Sequence, residues 1–255
     1  MSTATTVQPS SLAWLRNLTK STVGSKYLVG ITGLLLTGFV LAHMAGNLQV
    51  FIGREALNKY ALAIKEMGPL LWLARGGLLA IFLMHILLAL RLKKKSMDAR
   101  PIRYRNEDTV QATWASRHMV LTGLVILAFV LFHLAHFTFG IVHEADVVVD
   151  GQTVATENFL KLKEKYVENG VPKERHDVYA MVIHGFRSLP VSVLYIIAQV
   201  LLGVHLFHGL HSVFQTFGLN HHNWNVLIRW FAYLTTAAIV GGNIAMPVAI
   251  YFRLI

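Results

Sequence analysis

Five stretches of this chain are each long and apolar enough to cross a hydrocarbon layer: Leu28–Ile52, Pro69–Leu90, Met119–Val142, Pro190–Phe214 and Val226–Phe252. A helix rising 1.5 Å per residue needs about 20 such residues for a core of roughly 30 Å. Backbone groups in lipid must be satisfied within the segment, which for runs of this length and continuity means helix rather than strand. Composition agrees. Only 14% of residues are charged, against about 25% in soluble chains, and 55% are hydrophobic. The expectation is an all-α integral membrane protein, a single five-helix bundle, with His143–Leu189 as the one sizeable connection outside the bilayer. Residues 1 to 26 are polar, lack the charged-then-apolar pattern of a signal peptide, and read as retained, with a short surface helix around Ser11–Leu18. No internal repeat or low-complexity tract is apparent.

The basic residues orient the bundle. Arg16, Lys20 and Lys26 precede the first stretch, and the second connection holds Arg91, Lys93, Lys94, Lys95, Arg100, Arg103, Arg105 and Arg117 against three acids. With Arg229 this side accounts for +9 of the net +10. The positive-inside rule then puts the N-terminus in the cytoplasm and the C-terminus outside. The charge is a topology signal rather than a nucleic-acid footprint, although a basic inner face also suits a soluble partner. In the outer connection, Val147–Val149 and Gln152–Ala155 flank Asp150-Gly151, a tight-turn dipeptide, so a hairpin is expected there. Glu157–Glu168 reads as an exposed helix, and the whole segment as a cap over the helix ends.

Thirteen histidines and no cysteine accompany this apolar frame. Disulfides, thiolate metal sites and cysteine-held clusters are excluded. Ionisable groups within spans are costly and default to function. His43, His85, His133, His136, His205, His208 and His211 lie in or near the ends of the spans, each with a structural hydrogen bond to another helix as the competing role. Depth sorts them. His43 and His133 lie roughly 25 Å from the cytoplasmic end of their spans, His85 roughly 9 Å and His205 roughly 15 Å. An outer pair, His43 with His133, and an inner pair, His85 with His205, follow. Two imidazoles from different helices at one depth are what a bis-histidine haem requires. Zinc fits poorly, since the spans lack carboxylates. Spacing leaves His133 or His136, and His205 or His208, open, because each pair shares a helix face.

The chain resembles the single-chain, five-helix, di-haem cytochrome b subunit of succinate dehydrogenase and menaquinol:fumarate reductase. The likeness runs through Thr32-Gly33-Leu34, His43-Met44-Ala45-Gly46-Asn47-Leu48-Gln49, Leu57-Asn58-Lys59-Tyr60-Ala61, Leu71-Trp72-Leu73-Ala74-Arg75, His85, Ala99-Arg100-Pro101, Phe132-His133-Leu134, His205-Leu206-Phe207-His208-Gly209-Leu210-His211-Ser212 and Gln215-Thr216-Phe217-Gly218. These motifs are weak singly and strong together in order, across roughly Ser21–Gly218. The resemblance implies His43 and His133 as ligands of an outer haem b, and His85 and His205 of an inner one. It implies an anchor for a flavoprotein subunit and an iron–sulfur subunit on the cytoplasmic side of the cell's inner membrane. Electrons would pass between those subunits and a quinone, menaquinone by resemblance. Glu66 is the candidate proton-exchanging carboxylate at an outer quinone site, with a solvated loop residue as its alternative. Ser21, Ser25 and Lys26 are inner-side quinone candidates, with helix capping as theirs. His118, His184, His221 and His222 read as interface residues, His143 and His176 as loop residues. Two other classes compete: the cytochrome b of another quinone-linked dehydrogenase, and a haem-free transporter using histidines as a proton relay.

Overall fold

The computed structural model describes residues 18–100, 102, 112–149 and 152–255, of which 145–149 and 152–157 are described by backbone alone. The surface helix expected around Ser11–Leu18 therefore lies, but for its last residue, outside the described residues, as do Arg103 and Arg105 and the Asp150-Gly151 turn.

Five helices carry the apolar stretches: α1 (Thr22–Asn47), α3 (Pro69–Asp98), α5 (Met119–His133), α7 (Leu189–Thr216) and α8 (His222–Tyr251). All are long and apolar enough to cross a membrane, α5 together with the turn that follows it. The smaller helices are α2 (Arg54–Glu66), α4 (Trp114–Arg117) and α6 (Val178–Arg187). Local chemistry sets the starts. Ser21 caps α1, its hydroxyl accepting from Gly24 N at 2.9 Å. Proline opens α3 and α7, where its missing N–H costs nothing. Gly68, at φ 57°, makes the turn between α2 and α3.

α7 is the hub, packed against α8, α5 and α1, while α3 lies on α1 with only Leu88 buried. The outward faces of α3 and α8 are rows of exposed apolar side chains, among them Leu70, Leu73, Leu79, Leu83, Leu87, Leu227, Phe231 and Leu234. Such surface would aggregate in water and suits lipid. Inside, Gly203 and Gly242 let α7 approach α8 and α8 approach Met44 of α1, and Asn243 Nδ2 donates to Gln199 Oε1 at 3.1 Å. The chain is a multi-pass membrane protein.

The third span differs from the straight helix expected to Val142. After His133 the backbone widens into a π-helical turn, Leu134–Thr138, closed by Phe139 N on Leu134 O at 2.8 Å. Gly140, at φ 60°, then ends it, with Ile141 N reaching back to Ala135 O.

The end of the bundle opposite the N-terminus, the far end, carries α2, α6 and two β-hairpins. β1 (Glu144–Val149) pairs antiparallel with β2 (Gln152–Asn158), as the Asp-Gly dipeptide leads one to expect. The helix expected over Glu157–Glu168 does not form. Asn158 ends β2, Phe159–Lys161 make a 3₁₀ turn, and β3 (Lys163–Glu168) pairs with β4 (Val171–His176). The reason is the next dipeptide. Asn169 and Gly170 both take positive φ, 53° and 79°, which closes a two-residue hairpin and converts a charged, helix-like run into a strand. His176, expected in a loop, belongs to β4, its Nδ1 2.8 Å from Leu162 O.

Buried polar contacts tie this cap to α2. Asn58 Nδ2 donates to Asp177 Oδ1 at 2.9 Å and its Oδ1 accepts from Tyr179 N at 2.8 Å; Arg54 pairs with the same Asp177. Arg175 Nε donates to Glu164 at 2.5 Å, and its other nitrogens reach Glu55. The hydrogen bond from Arg175, helped by its charge and opposed by desolvation, holds the Glu55 carboxyl below the usual glutamate range.

Candidate functional site

The four histidines singled out above come together as two pairs. His85 of α3 faces His205 of α7, ring centres 6.5 Å apart and ring planes inclined at 65°. His43 of α1 faces His133 of α5 at 5.8 Å and 88°. The first pair lies nearer the N-terminal end and the second nearer the far end. Along α1, Thr32, which touches His85, precedes His43 by roughly 16 Å of helix.

Each near-pair imidazole has a threonine behind it. Thr32 Oγ1 lies 3.0 Å from His85 Nδ1, and Thr122 Oγ1 lies 3.1 Å from His205 Nδ1. A hydroxyl has one proton. Thr32 gives its own to Leu28 O at 2.7 Å, and Thr122 to Met119 O at 3.0 Å or His118 O at 3.2 Å. Each threonine oxygen can then only accept from the imidazole. Both near-pair rings are set as the Nδ1–H tautomer, with Nε2 bare and able to bind a metal. Glycine makes the room. A Cβ on Gly33 would lie 3.2 Å from His85 Cε1, and one on Gly123 3.4 Å from His205 Cε1.

These supports reveal a repeat that the sequence reading missed. Thr32–His43 reads TGLLLTGFVLAH and Thr122–His133 reads TGLVILAFVLFH, identical at seven of twelve positions. In both, the Thr-Gly end holds a near-pair histidine of the following span and the terminal histidine joins the far pair. Alignment of the spans on their histidines is the signal that would have exposed Thr32 and Thr122.

The far pair is held differently. Phe39 stacks on His43 with ring centres 5.5 Å apart. His133 Nδ1 lies 3.2 Å from the hydroxyl of Tyr195, which also lies 3.1 Å from His136 Nδ1. His136 is fully buried among Phe132, Phe137, Phe159 and His143. Its Nε2 and the Nδ1 of His143 are buried without partners. Tyr195 carried no motif and went unnoticed in the sequence; His143, read as a loop residue, is part of this cluster.

No protein-family model, curated protein or solved structure matches the chain.

Its chemistry must therefore come from the side chains. Two imidazoles that share one metal, each nitrogen about 2 Å from it, have ring centres roughly 6 Å apart. Both observed separations fit. Among the described residues no three histidines, aspartates or glutamates converge as metal ligands. A pair suits a metal that brings its own equatorial ligands, as haem iron does. The neighbouring histidines of the open choices stand apart from the ring pairs: His136 is enclosed, and His208 makes no ring contact with His85.

The quinone candidates are dispersed. Glu66 is the last residue of α2 and exposed at the far end. Ser25 is buried, and its hydroxyl donates to Ser21 O at 2.7 Å or Thr19 O at 3.0 Å, a local helix-start contact. Ser21 is the α1 cap and Lys26 is exposed. At the N-terminal end Arg91 and Lys95 are engaged with backbone carbonyls of Thr19 and Lys20, while Lys93 and Lys94 stand exposed.

Proposed function

We propose that this chain is a di-haem cytochrome b, the membrane anchor and electron-transfer subunit of a succinate:quinone oxidoreductase. The observation that carries the reading is the pair of histidine pairs: four helices supply one imidazole each, at two levels, with spacings that suit one iron between each two rings. His85 and His205 would hold an inner haem b, His43 and His133 an outer one. A bound haem supplies a one-electron carrier, and two at these levels form a path across the bilayer.

This chain's own residues do the rest. Thr32 and Thr122 present bare Nε2 atoms on the inner pair. Apolar helix faces exclude water and keep the sites at low dielectric, which tunes potential. The N-terminus is cytoplasmic by the basic-residue asymmetry, and the membrane is the cell's inner membrane. Exposed Lys93 and Lys94, with Arg100, offer the docking side for an iron–sulfur subunit that in turn carries the flavoprotein where succinate and fumarate interconvert. The quinone is menaquinone by resemblance, with Glu66 at the outer side and Ser25 and Lys26 at the inner side as head-group candidates.

A dithionite-reduced minus oxidised spectrum of the purified chain with its co-purifying proteins, plus pyridine haemochrome stoichiometry, tests this. About two b-type haems per chain, partly reduced by succinate, are expected. Two haems that ignore succinate with the soluble partners present would assign the chain to another quinone-linked dehydrogenase. No haem in folded protein would sink the electron-transfer reading in favour of a proton relay, for which the contiguous His133–Tyr195–His136 contacts are the one favourable observation.

A further inference from the structure

We propose that Tyr195 selects which of two histidines, His133 at the end of α5 or His136 of the π-helical turn, serves the far pair, and that it tunes the potential of the haem held there. The inference rests on the di-haem reading and concerns a residue that reading does not need.

The phenol of Tyr195 has one proton and touches two Nδ1 atoms, those of His133 and His136. It donates to one and accepts from the other, so the two neutral imidazoles are forced into opposite tautomers. Whichever ring donates through Nδ1 has a bare Nε2; the other carries its proton on Nε2 and cannot bind a metal there.

Two observations assign the roles. Only His133 pairs with His43, so a bare Nε2 is useful on His133. His136 is wholly enclosed, its ring stacked on Phe137 with centres 4.0 Å apart, and a Cβ on Gly185 would lie 3.1 Å from its Nε2. No macrocycle can approach it. Tyr195 thus accepts from His133 and donates to His136. The phenol is itself fixed, edge-on to Phe129 and Phe186 with ring centres 4.9 Å away in both cases. The π-helical turn matters here because it offsets His136 from His133 while letting one hydroxyl reach both.

Accepting the Nδ1–H makes the His133 ring a stronger electron donor, which favours ferric iron and lowers the potential. The inner pair leans on threonines and the outer on a phenol, so the two haems are tuned by different acceptors.

The test compares Tyr195→Phe, His136→Phe and His133→Phe with the wild type, all as complexes purified from membranes. Readouts are haem stoichiometry, redox titration and the low-spin ferric resonance signals. Absence of haem from the wild type would defeat the di-haem reading itself, before any variant is read. With haem present, Tyr195→Phe should keep both haems and move one potential upward with its resonance signal, leaving the other unmoved. His136→Phe should keep two haems and His133→Phe should lose one. Unchanged potentials in Tyr195→Phe, or the reverse haem losses at His133 and His136, would overturn the proposal. If Tyr195→Phe does not accumulate, the two histidine variants decide the selection by themselves.

Discussion

The hydroxyl of Thr32 stands between a backbone carbonyl and an imidazole, 2.7 Å from Leu28 O and 3.0 Å from His85 Nδ1. Because its single proton goes to the carbonyl, it fixes the tautomer of a histidine 53 positions away in sequence. Thr122 repeats the relation with His205. A helix-interior threonine bonded to its own preceding turn is usually unremarkable. Here that local bond is what turns the residue outward as an acceptor.

Replacing Thr32 or Thr122 by valine keeps the shape and removes the acceptor. Haem retention at the inner pair should weaken by about 10- to 100-fold, with the outer haem unaffected. Haem stoichiometry after dilution into detergent reads this, and Thr32→Ser should restore retention. Equal loss of both haems in Thr32→Val would show that the threonine supports the bundle rather than His85.

The glycines beside those threonines differ in tolerance. A Cβ at Gly33 meets His85 Cε1 at 3.2 Å, and one at Gly123 meets His205 Cε1 at 3.4 Å. Gly33→Ala should displace the His85 ring, at a cost of about 1–3 kcal/mol as for overpacking generally. Gly123→Ala sits near ordinary contact and should be milder. The ferric resonance signal of the inner haem, compared between the two variants, checks the order; a larger change in Gly123→Ala would contradict it.

The cap at the far end hangs on Arg175, whose side chain is only 3% exposed while it serves Glu164 and Glu55. Arg175→Met leaves the largely buried Glu164 without its nearest cation, and breaking such a pair costs about 3–5 kcal/mol. Limited proteolysis should cut the β3–β4 hairpin far faster while the five long helices stay protected. Unaltered cleavage would mean that the Asp177–Asn58 contacts hold the cap alone.

Acid should loosen the same cap. The folded-state carboxyl of Glu55 is held below its unfolded value, chiefly by the hydrogen bond from Arg175. A depressed carboxylate contributes stability that is fully present above its unfolded pKa and lost as pH falls through the folded one. Amide protection factors in β3 and β4, which divide out the intrinsic pH dependence of exchange, should therefore fall below about pH 4, the ordinary glutamate range, and stay flat between neutrality and that point. In Glu55→Gln the Glu55 contribution to this acid step should disappear.

Much of this was legible before any fold was known, and particular residues show why the rest was not. The depths of His43, His85, His133 and His205 follow from counting residues along a helix of fixed rise. The second hairpin was in plain view as Asn169-Gly170, but Glu157–Glu168 read as an exposed helix, and turn chemistry overrode it. Glu66, Ser25 and Lys26 were picked by side and chemistry alone, and the fold does not gather them into one place.

The sequence by itself determined five membrane-length helices, the charge asymmetry across them, and the levels at which histidines fall. Those properties are one-dimensional: apolar length, charge position and axial rise are local to each segment. Only the tertiary structure decided that His85 meets His205 and His43 meets His133, that Thr32, Thr122 and Tyr195 stand behind them, and that His136 is sealed away. Such relations depend on the rotation of each helix about its axis and on which helix it packs against. Both are settled by contacts between segments, through close approach at small residues and the demand that buried hydroxyls and imidazoles find partners.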